Sequence, residues 1–223
     1  MTVLHSRSFV SDAVNLIARE SESAIAGRGI FRIALSGGNT PRPIYEALAT
    51  AGLPWDKWEI TFSDERCVPP DSDQSNYKMA KLSLFDHAAI PAANILRMEG
   101  ERDPEVAAEN YERELLARSK PCRHDLILLG MGDDGHTASL FPGTEALRVT
   151  DRLVVANFVP KFSAWRITFT YPLLNAARHV CFLVSSAGKD PVLEGVFSGS
   201  SDYPSAAVAP ADGNVTWLLG GGA

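Results

Sequence analysis

Residues 128–143 read LLGMGDDGHTASLFPG, and how this stretch is read decides the fold. Together with Asp125 it begins as DLILLG, a short apolar run closed by a glycine. That is the pattern of a strand buried on both faces, as in parallel sheets covered by helices. A glycine-rich turn then leaves the carboxyl end of the strand, where open α/β sheets place their ligands. The turn delivers Asp133, Asp134 and His136 to that edge.

The segments on either side alternate in the same way. Residues 9–27 carry apolar side chains at helical spacing and stop at glycine, whereas residues 30–35 (IFRIAL) read as a strand between Gly29 and Gly37. A helix is expected from Pro41 to about Ala49, a strand at WEITF, and a helix at SNYKMAKLSLF capped by Ser75. NILRM is a candidate strand, followed by the charged helix PEVAAENYERELLARS. LVVANF, RITFT, HVCFLVSS and VTWLL read as further strands, with a helix near DPVLEGVF. Strands separated by helices imply parallel crossovers. With no repeat and no linker, residues 1–223 are expected to form one Rossmann-like α/β domain. Its open, mainly parallel sheet carries helices on both faces.

Composition narrows the function. The chain has 223 residues, 45% hydrophobic and 22% charged, with a net charge of -6. That balance suits a globular protein and argues against nucleic acid or an anionic membrane as the main partner. Residues 1–16 lack an apolar secretion core, and no stretch reaches the roughly 20 apolar residues of a membrane helix. Cys67, Cys122 and Cys181 are scattered and odd in number, as expected of reduced thiols in a cytoplasm.

Two glycine turns carry candidate chemistry. In LSGGNTPRPIYEAL (residues 35–48), Gly37 and Gly38 let the backbone bend sharply and approach a ligand. Thr40 suits an N-cap and Pro41 the first helical position, so free amides and the helix dipole would make an anion site. The alternative is a tight turn with nothing bound. No glycine-lysine-serine/threonine ending marks a Walker loop.

Gly130-Met131-Gly132-Asp133-Asp134-Gly135 matches a dinucleotide fingerprint, but Pro142-Gly143 would break its helix after little more than a turn. Two aspartates would also repel a pyrophosphate. The remaining reading is an acid/base site. With an ordinary pKa of ~6.5, His136 can take and return a proton, with Asp134 or Asp133 fixing its tautomer. The alternative is a histidine that caps the short helix after it. No spacing completes a metal set, and no G-x-S-x-G surrounds a serine. Asp64, Glu65 and Arg66 follow the WEITF strand into a polar loop that spans residues 61–77. Arg166 and Lys189 stand singly at strand ends.

Taken together, LSGGNTP, SDERCVPPDSDQSNY, the GMG-x-DGHTASLFPG stretch, RITFT and AGK resemble the 6-phosphogluconolactonase family, within the superfamily that also holds glucosamine-6-phosphate deaminase. The resemblance implies hydrolysis of 6-phospho-D-glucono-1,5-lactone to 6-phosphogluconate in the pentose phosphate pathway, without metal or organic cofactor. It implies acid/base roles for His136 and Asp134. Phosphate binding would fall on Gly37, Gly38, Asn39, Thr40, Arg166 and Lys189, with Asp64 and Arg66 lining the pocket. A cytoplasmic monomer or weak homodimer is expected. The family often has serine at Asn39, and Phe162-Ser163-Ala164-Trp165 replaces a proline-rich approach to the strand arginine.

The deaminase is the nearest alternative. Its ring-opening chemistry uses a glutamate just before the proline-glycine, where this chain has Phe141, and it usually has tyrosine in place of Arg66. A non-catalytic sugar-phosphate sensor would normally carry a helix-turn-helix segment, for which there is no spare length.

Overall fold

All four residues of strand β5 (Leu126–Leu129) are fully buried, and their side chains alternate between two cores. Leu126 and Leu128 enter one core, Ile127 and Leu129 the other. The structure, a computed structural model, describes residues 1–185, 188–200 and 203–220. Around β5 stand β1 (Thr2–Ser6), β2 (Phe31–Leu35), β3 (Trp58–Phe62), β8 (His179–Ser185) and β9 (Asn214–Gly220). They form a six-stranded sheet in the order β1-β9-β8-β5-β2-β3, with every neighbouring pair parallel.

Helices α1 (Phe9–Arg28), α2 (Arg42–Ala49) and α3 (Asn76–Ala80) cover one face through Leu16, Ile17, Ile44, Leu48 and Ala80. Helices α4 (Pro104–Arg118), α5 (Tyr171–Leu174) and α6 (Asp190–Phe197) cover the other through Tyr111, Leu115, Leu173, Leu193 and Val196. The chain runs outward from β2 to β3, then returns through β5, β8 and β9. The strand order therefore reverses between β2 and β5, and ligand crevices form at such points. Both glycine turns leave the sheet there.

Several expectations need correction. Strands β6 (Val154–Val159) and β7 (Ala164–Phe169) are antiparallel and belong to a second sheet, ordered β4-β7-β6. Only residues 160–163 join them, far fewer than a parallel crossover requires. The third strand, β4 (Asp64–Arg66), lies inside the expected polar loop and pairs Arg66 with Arg166. NILRM is not a strand and makes only a single bridge, Ile95 to Ile60. The N-terminal segment, unassigned from sequence, is edge strand β1.

Helix α1 passes Gly27 and ends at Gly29, whose left-handed φ of 77° suits a terminating residue. Helix α2 begins one residue late: Pro41 occupies the cap position and no side chain caps it, so Thr40 does not act as predicted. α3 is capped by Ser75, as expected. No helix follows Gly135; Thr137 and Leu140 close a tight turn instead, with Ala138 at φ 46°. Ser186 and Ala187, the end of HVCFLVSS and the start of AGK, lie outside the described residues.

Candidate active site

The carboxyl ends of β2, β3, β5 and β8 converge on a cleft of about 220 Å³. Gly37, Gly38, Thr40, Asp64, Arg66, Asn76, Gly132, His136, Ala138 and Lys189 contribute to its walls. The volume falls below the roughly 300–1,000 Å³ of typical drug-sized ligand sites, so a small polar molecule fits better than a dinucleotide. A larger open groove, about 930 Å³, runs along α1 and β1 and shares no residue with this cleft. It has neither a glycine turn nor an imidazole bonded to a carboxylate.

The β5 turn is built from its own side chains. Thr137 Oγ1 donates to the Gly130 carbonyl at 2.8 Å, and the left-handed Ala138 then turns Ser139 inward. Ser139 Oγ donates to Asp64 Oδ2 at 2.7 Å, tying β5 to β4. His136 Nδ1 lies 2.5 Å from Asp134 Oδ1. A carboxylate only accepts, so Nδ1 carries the proton, and in the neutral imidazole Nε2 is then the nitrogen with the free lone pair. The imidazole stacks on Phe141 at 3.9 Å between centroids and 21° between planes. It also packs so closely on Gly132 that a Cβ there would meet ring atoms Cε1 and Nδ1 at 2.1 Å. Glycine is needed at 132 for that approach.

Asp134 sits behind the imidazole rather than among the residues that line the cleft. Its second oxygen accepts from Lys161 Nζ at 2.8 Å. Burial pushes this carboxyl up, but hydrogen bonds from Lys161 and His136 more than reverse the effect and hold it well below the usual carboxylate range. It stays an anion. Two of the turn's amides are committed: Gly132 N donates to the His136 carbonyl at 2.9 Å and Gly135 N to the Gly132 carbonyl at 3.0 Å. With no helix behind them either, they do not form a pyrophosphate cradle.

On the other side, Gly38 takes φ 96°, and Tyr45 of α2 braces the turn by bonding both the amide and the carbonyl of Ser36. Gly37 meets Asn76 so tightly that a Cβ would lie 1.9 Å from Oδ1. Asn76 in turn donates to Asp64 Oδ1 at 3.2 Å. Glu65, also buried, gathers Ser75 Oγ and the amides of Arg66, Asn76 and Tyr77 within 2.7–3.0 Å. It thereby pins the polar loop against α3. The loop's ends, Asp64–Glu65 and Ser75–Asn76, are buried wall, while Asp71, Asp73 and Gln74 between them stay exposed.

Three cations gather here. Lys189, at the cap of α6, donates to the Met131 carbonyl at 2.5 Å and lies 3.8 Å from Asp133. Arg66 donates to the Gln74 carbonyl at 2.5 Å. Arg166 does not line the cleft; it stands across the β4–β7 pair from Arg66, and its guanidinium covers the Phe162 ring at 5.6 Å. Its Nε is buried and without a hydrogen-bond partner among the described residues. Burial first, and the neighbouring Arg66 charge second, lower its pKa. Bringing an anion between the two guanidiniums would relieve both penalties. Asn39 is exposed at the turn's tip and does not line the cleft.

Sequence reasoning missed Asn76, Ser139 and Lys161. Ser139 carries a local signal, since it follows His136 by three residues inside the same turn. Lys161 carries none, because its distance from Asp134 in sequence hides a contact made only by folding. Among the described residues, no three His, Cys, Asp or Glu side chains converge as metal ligands.

The chain is similar to known proteins along nearly its whole length. The profile of the family described as glucosamine-6-phosphate isomerases/6-phosphogluconolactonase matches residues 5–217. A 6-phosphogluconolactonase of Nostoc sp. is 46% identical, over 95% of this chain and 91% of its own length. One from Synechocystis sp. is 45% identical, over 97% and 93%. The crystal structure of 6-phosphogluconolactonase from Thermotoga maritima superposes with a TM-score of 0.90 at 32% identity, covering 98% of this chain and 99% of that one. On this evidence the chain belongs to the glucosamine-6-phosphate isomerase/6-phosphogluconolactonase family.

Proposed function

We propose that this protein hydrolyses 6-phospho-D-glucono-1,5-lactone to 6-phosphogluconate, the lactonase step of the oxidative pentose phosphate pathway. The observation that carries this reading is the His136–Asp134 pair, which keeps a free imidazole nitrogen beside a small cleft rich in cations. The phosphate of the substrate is anchored by the Gly37–Thr40 turn together with Arg66, Lys189 and, from behind, Arg166. Asn39 contributes its backbone rather than its side chain. Asp64 accepts from a sugar hydroxyl.

Neutral His136 removes a proton from water through Nε2 as the water oxygen bonds to the lactone carbonyl carbon. The carbonyl electrons move onto oxygen. That oxyanion needs hydrogen-bond donors other than the Gly132 and Gly135 amides, which are already engaged. The oxyanion then collapses, the bond between the carbonyl carbon and the ring oxygen breaks, and the imidazolium returns its proton to that oxygen. Asp134 remains ionised throughout and balances the imidazolium.

Ring-opening deamination is disfavoured by Phe141. At the position where that chemistry uses a glutamate, this chain has the phenyl ring of Phe141, which stacks on His136 and, unlike a carboxylate, can carry no proton. The acidic net charge and the three free cysteines, two of them buried, accord with a cytoplasmic protein without a nucleic-acid partner. No described helix is long and apolar enough to cross a membrane. A monomer or weak homodimer is the oligomeric state we infer.

The test tracks freshly generated lactone against its spontaneous hydrolysis, with glucosamine 6-phosphate and an ammonia readout alongside. His136→Asn should lower kcat about 10²- to 10⁴-fold with substrate still bound. Ammonia release without lactone loss would reverse the assignment, and near-normal turnover of the variant would remove His136 as the base.

A further inference from the structure

The β6–β7 hairpin ends in the turn Pro160–Phe162, followed by Ser163 in the left-handed region at φ 48°. This tip touches the imidazole system by two separate routes. Lys161 Nζ donates to Asp134 Oδ2 at 2.8 Å, and the other oxygen of that carboxylate holds His136 Nδ1. Phe162 meets Phe141 edge-on at 5.6 Å, and Phe141 is the ring stacked on His136. Both tip side chains are otherwise exposed. A cation this exposed adds little to folding. What its position does achieve is to hold Asp134 in a single rotamer and partly offset its charge.

We propose that Lys161 is a positioning residue for proton transfer at His136, acting through Asp134. This rests on the reading of His136 as the base. The ammonium and the imidazole N–H grip opposite oxygens of one carboxylate. The imidazole plane and its tautomer are then fixed from behind, and Nε2 faces the cleft. Partial neutralisation of Asp134 by Lys161 also keeps the carboxylate from over-stabilising the imidazolium. Other charges around the ring are Asp133 on its own turn, Asp64 and Arg66 on β4, and Lys189 on α6. Among the described residues, Lys161 is the cation hydrogen-bonded to Asp134.

Lys161→Met keeps the length and apolar contacts of the side chain and removes its charge; Lys161→Arg restores the charge. In the methionine variant, kcat should fall about 3- to 10-fold with KM nearly unchanged. The acid limb of the kcat/KM profile should move upward by about half a pH unit to one unit, because the unbalanced carboxylate then favours the imidazolium. Arginine should recover most of both effects, and thermal melting should be the same in all three proteins. Wild-type kcat and an unmoved acid limb in Lys161→Met would overturn the proposal. So would an equal loss in the arginine variant. His136→Asn, assayed in parallel, separates the two readings: if it remains active the base assignment fails, whereas if it is dead and Lys161→Met is normal only the role of Lys161 fails.

Discussion

Replacing Gly132 by alanine tests whether the placement of the imidazole, and not just its presence, controls turnover. The new methyl carbon would lie 2.1 Å from both Cε1 and Nδ1 of His136 and 3.0 Å from Asp134 Oδ1. Ordinary van der Waals contact begins near 3.4 Å, so the ring must retreat by about 1.3 Å (3.4 minus 2.1). That movement separates Nδ1 from Asp134 and disturbs the stack on Phe141. Misplacement of a catalytic group by about 1 Å costs on the order of 10²-fold in rate. Gly132 does not adopt a left-handed φ, and the imidazole is partly exposed, so the ring can move outward without damage to the core. The bond given up to Asp134 is partly exposed, so stability should fall by about 1 kcal/mol, or roughly 2–4 °C in Tm. The assay is kcat for the lactone, corrected for spontaneous hydrolysis, beside a melting curve. Gly27→Ala, in the open face of α1 with nothing near its Cβ, is the control and should be fully active. Wild-type kcat in Gly132→Ala would refute the reasoning. So would a large fall in Tm, since the loss of rate would then reflect unfolding.

Arg66→Ala and Lys189→Ala should act mainly through KM, by about tenfold or more each, because each removes an anchor for the phosphate rather than the base; inorganic phosphate that fails to inhibit the wild-type enzyme would contradict that assignment. Buried His124 predicts acid sensitivity of the fold. Burial first, and Arg32 second, push its pKa down from 6.5 to about 4. Its Nε2 faces Thr61 Oγ1 at 2.9 Å, while Nδ1 has no partner among the described residues. Unfolded chains take up this proton below about pH 6.5, but the native protein resists until about pH 4. Its contribution is complete above pH 6.5 and is lost as pH falls toward 4, at up to about 1.4 kcal/mol per unit and about 3 kcal/mol in all. Urea midpoints for wild type and His124→Gln between pH 7 and 4.5 check this, since the variant should show a flatter dependence; parallel curves would exclude the residue.

Much of the fold can be read along the chain, since a strand buried on both faces leaves a continuous apolar run. β5 and β8 show such runs, and their ends are marked by Gly130 and Gly188. Helix ends that rest on one cap, such as Ser75, are equally local. The pairing direction of β6 and β7 is harder, because their residues are as strand-like as those of β8. Only the four-residue connection distinguishes them, and it requires an antiparallel hairpin. Thr40 does not cap α2, because Pro41, equally suited to the cap or the first turn, takes the cap position itself.

Local sequence alone determined the buried strands, the two glycine turns beside the sheet's point of reversal, and the proximity of Asp134 and His136, two residues apart. These depend on backbone freedom and side-chain periodicity within a few residues. Tertiary structure alone decided that Lys161 grips Asp134 and that Asn76 presses on Gly37. It also decided that Ser139 joins Asp64, and that Arg166 stands behind Arg66 instead of in the cleft wall. Each of these contacts joins segments separated by at least 27 residues, with the arginine pair 100 apart. Residue type shows that a side chain can make such a contact, but which partner it meets depends on how the second sheet packs across the carboxyl edge of the first.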